Sequence, residues 1–175
     1  MKKLVIVFIF IMFFSQFAFS GDVNVSSFIG AYTGYGHRVV NYVIYQNSIY
    51  QDQDQEFNYL MFGINIRFGL SNKISDDLTL YFLGLFDLGF NINFTPEFSF
   101  NIPGAILGGE VKVKYKKFFF GLGNGICLPF PMNPFSVFLR PSFGYAIKPN
   151  LLIDVFADTE MNKNFRLGFT FSIFK

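Results

Sequence analysis

The sequence contains no tryptophan, one histidine and one cysteine, and only 15% of its 175 residues are charged. Ordinary globular domains carry about 25% charged residues. A single cysteine excludes an internal disulfide, so the chain is not one of the small exported domains that disulfides hold together. A single histidine leaves one side chain with an ordinary pKa near neutral pH, which limits general acid–base chemistry.

The longest apolar run lies at the N-terminus and predicts a secretory signal peptide. Two lysines precede an apolar run at 4–14, and the small residues Ala18 and Ser20 stand at the positions that signal peptidase requires. An uncleaved anchor helix is the weaker alternative, because the run is shorter than the ~20 residues that span a bilayer. We therefore expect a signal peptide at 1–20 and one domain at 21–175.

The remaining chain combines high apolar content with zero net charge. The whole sequence is 51% hydrophobic and 21% aromatic, with 28 phenylalanines. Without Lys2 and Lys3 of the signal, 12 of the 14 basic residues remain against 12 acidic ones. This balance implies no anionic partner. Nucleic-acid binding is not expected either, because strand alternation divides the lysines at 112–117 between the lumen and a turn, so they form no single surface. No later segment approaches 18 consecutive apolar residues, which excludes a further transmembrane helix. An exported, strongly apolar chain without such a helix indicates a barrel.

Beyond the signal, apolar residues alternate with small or polar residues at a period of two, which predicts β-strands. The clearest segment, "YLMFGINIRFGL", alternates over its whole length. Eight segments alternate in this way, and most have the ~9–11 residues that cross a bilayer at barrel tilt. Glycines blur the phase of the first, so its register stays open. The predicted strands are 23–35, 59–70, 78–90, 105–115, 118–126, 135–147, 151–158 and 165–173.

The connections between these strands alternate in length. Those after the second, fourth and sixth strands are compact, whereas the first and third strands are followed by long loops, Gly36 to Glu56 and Asn91 to Pro103. Short turns on one side and longer loops on the other are typical of an outer-membrane barrel, with the turns in the periplasm. We therefore predict an all-β fold, a closed antiparallel eight-stranded transmembrane β-barrel.

The charged residues of the strands distinguish this barrel from a soluble one of lipocalin type. All of them fall on the face opposite the phenylalanines, as a lipid-facing exterior requires, because Arg or Lys facing lipid at mid-membrane costs ~2–4 kcal/mol. We predict a network of paired charges in the lumen. Tyr115 and Tyr145, each just before a tight turn, are predicted interface aromatics. The predicted lumen residues are Arg67, Asp87, Glu110, Lys112, Lys114, Arg140, Asp154 and Arg166.

The segment 21–175 resembles the small eight-stranded outer-membrane barrels of the OmpA/OmpX type. The resemblance rests on the signal peptide, the eight alternating segments, the turn and loop asymmetry, and the alternating aromatic last strand "FRLGFTFSIF". It implies a fold and a place in the outer membrane, and it implies outer-membrane lipids and the barrel-assembly machinery as partners. One departure is that Ile173 is the last residue in phase with the outer face, while Lys175 ends the chain.

The candidate chemical sites in the sequence are weak. Lipid A deacylases of barrel type place a serine two residues after the catalytic histidine, but Val39 stands two residues after His37. The acidic stretch "QDQDQE" lacks the glycine and the spacing of an EF-hand loop. Cys127 has no metal-ligating neighbour in the sequence. We therefore predict no catalytic residues, no metal and no cofactor.

The most specific functional prediction is a structural or surface-interaction role through extracellular loops. The loop at 36–56 is the first candidate surface for an extracellular ligand, since it is long and rich in Tyr, Gln and Asn. The alternative is a narrow, porin-like pore or a conduit for lipids or other hydrophobic molecules. A lipid A-modifying enzyme ranks third.

Overall fold

The computed structural model describes residues 22–46, 49–95, 99–101, 105–128, 136–160 and 164–175. The described chain is all β and forms one antiparallel sheet of nine strands. These are β1 (Asp22–Gln46), β2 (Ile49–Lys73), β3 (Leu78–Asn93), β4 (Ser99–Asn101), β5 (Ala105–Tyr115), β6 (Phe118–Leu128), β7 (Ser136–Lys148), β8 (Leu151–Glu160) and β9 (Asn164–Phe174).

Eight of the strands close into a barrel. Each of them pairs with its neighbours in chain order, and β1 also pairs with β9, which joins the two ends of the sheet. The short strand β4 lies outside this circle and pairs only with the last three residues of β3. Closure removes the exposed edges that an open sheet presents. The predicted all-β, closed, eight-stranded antiparallel barrel is confirmed.

The two ends of the barrel differ. The turn end carries the tight connections β2–β3, β5–β6 and β7–β8 together with the C-terminus of β9. The loop end carries the tip of the β1–β2 hairpin and the connections that follow β3, β6 and β8. At the turn end, Ser27 and Lys175 exchange two backbone hydrogen bonds of 3.0 Å, which tie the C-terminus to β1.

The prediction of a long loop from Gly36 to Glu56 was wrong. In the structure β1 continues to Gln46 and β2 begins at Ile49, and the two strands pair without a register break from Asp22–Lys73 to Gln46–Ile49. Pairing of β1 with β9 ends at His37, so the hairpin runs on alone by about 30 Å at ~3.4 Å per residue. Residues 39–45 are almost continuously apolar and residues 51–56 are wholly polar, so neither arm of the hairpin shows the period of two that marks the other strands.

The barrel interior is fuller than the sequence predicted. Small and polar residues were expected there, but Leu83 and Leu85 also point inward and are 4% and 3% exposed. Large rings fit because glycines on neighbouring strands leave space. A Cβ on Gly63 or Gly89 would collide with the Tyr32 ring. Alternating large and small residues across facing strands thus fill the narrow lumen.

Candidate functional site in the barrel interior and at its ends

Four buried charges form a ring in the half of the interior near the turn end. Arg67 on β2 lies 3.1 Å from Glu110 and 2.8 Å from Asp154, measured between nitrogen and carboxylate oxygen. Lys112 on β5 lies 2.9 Å from Asp154 and 3.6 Å from Glu110. All four side chains are fully buried. Two positive and two negative charges alternate around the ring, so the group is neutral.

The surroundings of this ring are shaped to hold it. The Ser142 hydroxyl donates a hydrogen bond of 2.9 Å to Glu110 Oε1. A Cβ on Gly121 would collide with that hydroxyl and with Glu110, and a Cβ on Gly144 would collide with Asp154. Both glycines therefore leave room for carboxylates that would otherwise have no space inside the barrel.

A second group of charges lies nearer the loop end and centres on Arg140. Its guanidinium donates to both oxygens of Asp158, with nitrogen–oxygen distances of 2.5 and 2.7 Å, and to Asp87 at 2.6 Å. Arg166 lies 3.0 Å from Asp158, and Asn65 donates to Asp87. This group is also neutral. Charge-assisted hydrogen bonds from a guanidinium to both oxygens of one carboxylate are stronger than hydrogen bonds between neutral groups.

Aromatic rings accompany both groups of charges. The Arg140 guanidinium lies 4.5 Å from the centroid of the Phe156 ring and 5.4 Å from that of Phe138, within the range of cation–π contacts. Toward the turn end, a cluster of buried apolar residues caps the charge ring. The cluster consists of Phe28, Tyr81, Leu83, Phe119, Ala146, Leu152 and Phe174.

Among the described residues, the buried carboxylates of the interior are all held in ion pairs. Asp87, Glu110, Asp154 and Asp158 each lie within 3.1 Å of an arginine nitrogen. In the described part of the chain no group of three or more His, Cys, Asp or Glu residues is placed to hold a metal. The charges and the aromatic cap together occupy the lumen.

The structure brings seven of the eight sequence-predicted lumen residues into the two charge groups. The exception is Lys114, whose ammonium lies 5.9 and 5.8 Å from the ring centroids of Phe119 and Phe174. Asp158 was missing from the prediction, although it bridges Arg140 and Arg166. Asp158 could have been predicted as a lumen residue, since it has the same strand phase as Asp154. Asp158 stands near the end of its strand, however.

His37 belongs to a polar cluster at the loop end. Its Nδ1 lies 3.0 Å from the side-chain oxygen of Asn58, which also accepts a hydrogen bond from the Tyr35 hydroxyl. The Asn58 backbone N–H donates a hydrogen bond of 2.9 Å to the Thr95 hydroxyl, and the Asn58 side-chain amide donates one of 3.2 Å to the same oxygen. These contacts fasten the base of the long hairpin to the segment after β3. Neither a carboxylate nor a serine accompanies His37 in these contacts.

The predicted interface tyrosines lie at the turn end with their rings outward. Tyr115 is 48% exposed and Tyr145 is 42% exposed. In the adjoining β2–β3 turn, Lys73 lies 2.7 Å from Asp76, and both side chains face solvent. The hydrogen bond and the charge of Lys73 lower the pKa of the Asp76 carboxyl.

Comparison with known proteins adds no family assignment. No family model, no curated protein and no solved structure gives a significant match to the chain. Across the residues that the structure describes, no helix is long and apolar enough to span a membrane.

Proposed function

We propose that the chain is an integral protein of a bacterial outer membrane. The observation that carries this proposal is the outer face of the barrel. Along the described chain from Val23 to Ile173, 31 large hydrophobic side chains are exposed, and all but Ile74 and Phe94 lie on strands. Soluble monomers rarely expose contiguous apolar patches above a few hundred Å². A surface of this kind is at its lowest free energy in lipid.

The charge pattern supports the same proposal. Between the turns and the loop end, the outward positions of the barrel strands carry no Asp, Glu, Lys or Arg in the described residues, whereas eight such residues are buried inside. The strands β5, β6 and β9 have 11 residues each, close to the ~9–11 residues of a membrane-crossing strand. Length and polarity together fit one crossing of a bilayer per strand.

For its role we propose a structural or surface-interaction protein of the OmpA/OmpX type. The long hairpin of β1 and β2 supports this, because it extends past the barrel at the loop end and is tied to the rim through Asn58 and Thr95. A paired ribbon of this length reaches beyond the rim of the barrel. Residues 36–56 remain the candidate surface for an extracellular ligand.

Membrane insertion is tested by extraction and by gel migration. We expect the protein to stay in carbonate-washed membranes and to migrate faster on SDS gels when unheated than when boiled. The boiled sample is the internal control, because it reports the unfolded chain. Purification as a detergent-free soluble monomer would overturn the proposal.

The filled interior argues against the alternative of a pore. The charge ring of Arg67, Glu110, Lys112 and Asp154 and the aromatic cap beside it lie across the lumen. An ion crossing this region must displace paired charges in a low-dielectric site, which costs several kcal/mol. We expect no current steps in single-channel recordings of the protein in a planar bilayer. Unitary current steps would support the pore hypothesis.

A further inference from the structure

The side-chain charges of the folded barrel are separated along its axis. The interior is neutral, with four basic and four acidic residues in its two groups. The turn end has a surplus of three positive charges, and the loop end, over the side chains that the structure describes, a surplus of one negative charge. The turn-end residues are Asp22, Lys73, Asp76, Asp77, Lys114, Lys116, Lys117, Lys148 and Lys175; those of the loop end are Arg38, Asp54 and Glu56.

Five exposed lysines at the turn end form what we call the lysine collar: Lys73, Lys116, Lys117, Lys148 and Lys175. Backbone hydrogen bonds join the turns that carry them. The Lys116 amide donates 2.8 Å to the carbonyl of Asp77, and the Ala146 amide donates 2.7 Å to the carbonyl of Lys117. The collar is therefore held on a connected rim.

The collar lysines differ in whether a described carboxylate lies near them. Within the described residues, no carboxylate lies at ion-pair distance from Lys116, Lys117, Lys148 or Lys175, whereas Lys73 pairs with Asp76. Lys116 also has a φ of 55°, a left-handed conformation that glycine adopts at lower cost. The turn therefore carries a cation at a position where local conformation favours glycine.

The collar borders the apolar outer face directly. Tyr145 lies between the two lysine-bearing turns on that face and contacts Phe118 with ring centroids 5.4 Å apart. The Lys116 ammonium lies 5.5 Å from the centroid of the Tyr115 ring. Aromatic rings with lysines just beyond them mark the level of lipid headgroups, where ammonium groups meet phosphate.

We propose that the lysine collar binds the phosphate groups of anionic phospholipids in the leaflet at the turn end. This inference rests on the proposed membrane location. The described part of the loop end, where acidic side chains outnumber basic ones, is not expected to attract anionic lipid. A soluble polyanion would also suit lysines, but the direct continuation of the collar into the apolar face favours a lipid, whose chains and headgroup contact both surfaces at once.

The experiment uses tryptophan fluorescence, because the natural chain contains no tryptophan. Tyr145→Trp places a reporter beside the collar, and Phe165→Trp places a matched reporter on the outer face near the loop end, where the phenylalanine is 42% exposed. Each variant is reconstituted into vesicles that contain brominated phosphatidylglycerol or brominated phosphatidylcholine. Quenching measures the relative binding of the two lipids at each reporter.

At the Tyr145→Trp reporter we expect the anionic lipid to bind roughly fivefold better than the zwitterionic lipid, the effect of about one lysine near an anionic surface. At the Phe165→Trp reporter we expect no preference. The preference at the turn end should fall in 1 M salt, where the screening length is about 3 Å. This measurement at high salt, the salt arm of the experiment, needs no further substitution. It tests by itself whether the lipid preference is electrostatic.

A substitution set tests the collar directly. Lys116→Gln, Lys117→Gln and Lys148→Gln together should abolish the preference at the turn-end reporter, while arginine at the same three positions should keep it. Heat-modifiable migration confirms that both sets fold. If the glutamine set does not fold, the salt arm decides the question.

The outcomes separate this inference from the membrane proposal. Absence of quenching by either lipid at both reporters would refute membrane insertion. Quenching at both reporters without lipid preference would leave insertion intact and overturn the collar. An equal preference at the two ends would overturn it as well, and so would binding of soluble polyglutamate by the collar in place of lipid.

Discussion

Replacement of Asp154 by asparagine is the most direct test of the charge ring. The Asp154 carboxylate receives hydrogen bonds of 2.8 Å from Arg67 and of 2.9 Å from Lys112, and all three side chains are fully buried. Asparagine keeps the volume but removes the charge, which leaves two buried cations with Glu110 alone. Removal of one partner from a buried ion pair costs about 3–5 kcal/mol.

The measurement is urea unfolding of the protein in detergent micelles, followed by gel migration and circular dichroism. With an m value of about 2 kcal/mol per molar urea, a loss of that size lowers the midpoint by about 2 M. Asp76→Asn is the matched control, because Asp76 lies 2.7 Å from Lys73 but both groups are exposed to solvent. Exposed pairs contribute little, so we expect its midpoint to match that of the natural protein.

A second substitution tests whether the loss comes from unbalanced charge. Lys112→Met in the Asp154→Asn background leaves Arg67 paired with Glu110, so the ring returns to neutrality. We expect the double variant to be no less stable than Asp154→Asn alone, although Lys112→Met by itself is destabilising. Strict additivity of the two losses, or a midpoint for Asp154→Asn equal to that of Asp76→Asn, would refute the reasoning.

Three further predictions concern the sheet, the hairpin and the turn. Gly69→Ala should lower the urea midpoint, because a Cβ there collides with the backbone of β3, whereas Gly84→Ala, whose Cβ would lie 3.4 Å from its nearest neighbour, should not. Replacement of residues 40–55 by Asn-Gly should leave heat-modifiable migration intact, because those residues pair only with one another in the described chain and Asn-Gly favours a two-residue turn. Lys73 lowers the pKa of Asp76, so the stability from this pair is present above the ordinary aspartate pKa and lost as pH falls through the lowered value. Since both groups are exposed, any difference between the natural protein and Asp76→Asn should be confined to low salt and absent at acid pH.

The strands of the barrel wall were predictable because each has one apolar and one polar face. Strand β5 begins and ends at the predicted residues, Ala105 and Tyr115. The hairpin was not predictable in this way. Its arms pair from Arg38–Phe57 to Gln46–Ile49, but residues 39–45 are almost continuously apolar and residues 51–56 are wholly polar, so the sequence shows no period of two there. The pairing of the two arms continues the register that β1 and β2 already have inside the barrel wall.

The residues of the candidate site were also predictable only in part. Strand phase alone placed Arg67 and Asp154 on the inner face, but it did not pair them, because they are 87 residues apart in the chain. Their contact depends on closure of the barrel, which brings distant strands across one narrow lumen. Asp158 was overlooked for the related reason that a residue near a strand end has no evident partner until the opposite strand is in place.

Sequence alone determined the β-class of the chain, which follows from a period of two. It also predicted the inner and outer faces of the strands, because the charged residues all fall on one phase of that period. Composition also showed equal numbers of acidic and basic residues after residue 20, from which no anionic partner follows. Only the tertiary structure divided those charges into a paired interior, a turn end rich in lysine and a loop end whose described side chains are more acidic than basic. Antiparallel strands return the chain to the same end every second crossing, so lysines as distant in sequence as Lys73 and Lys175 gather on one rim.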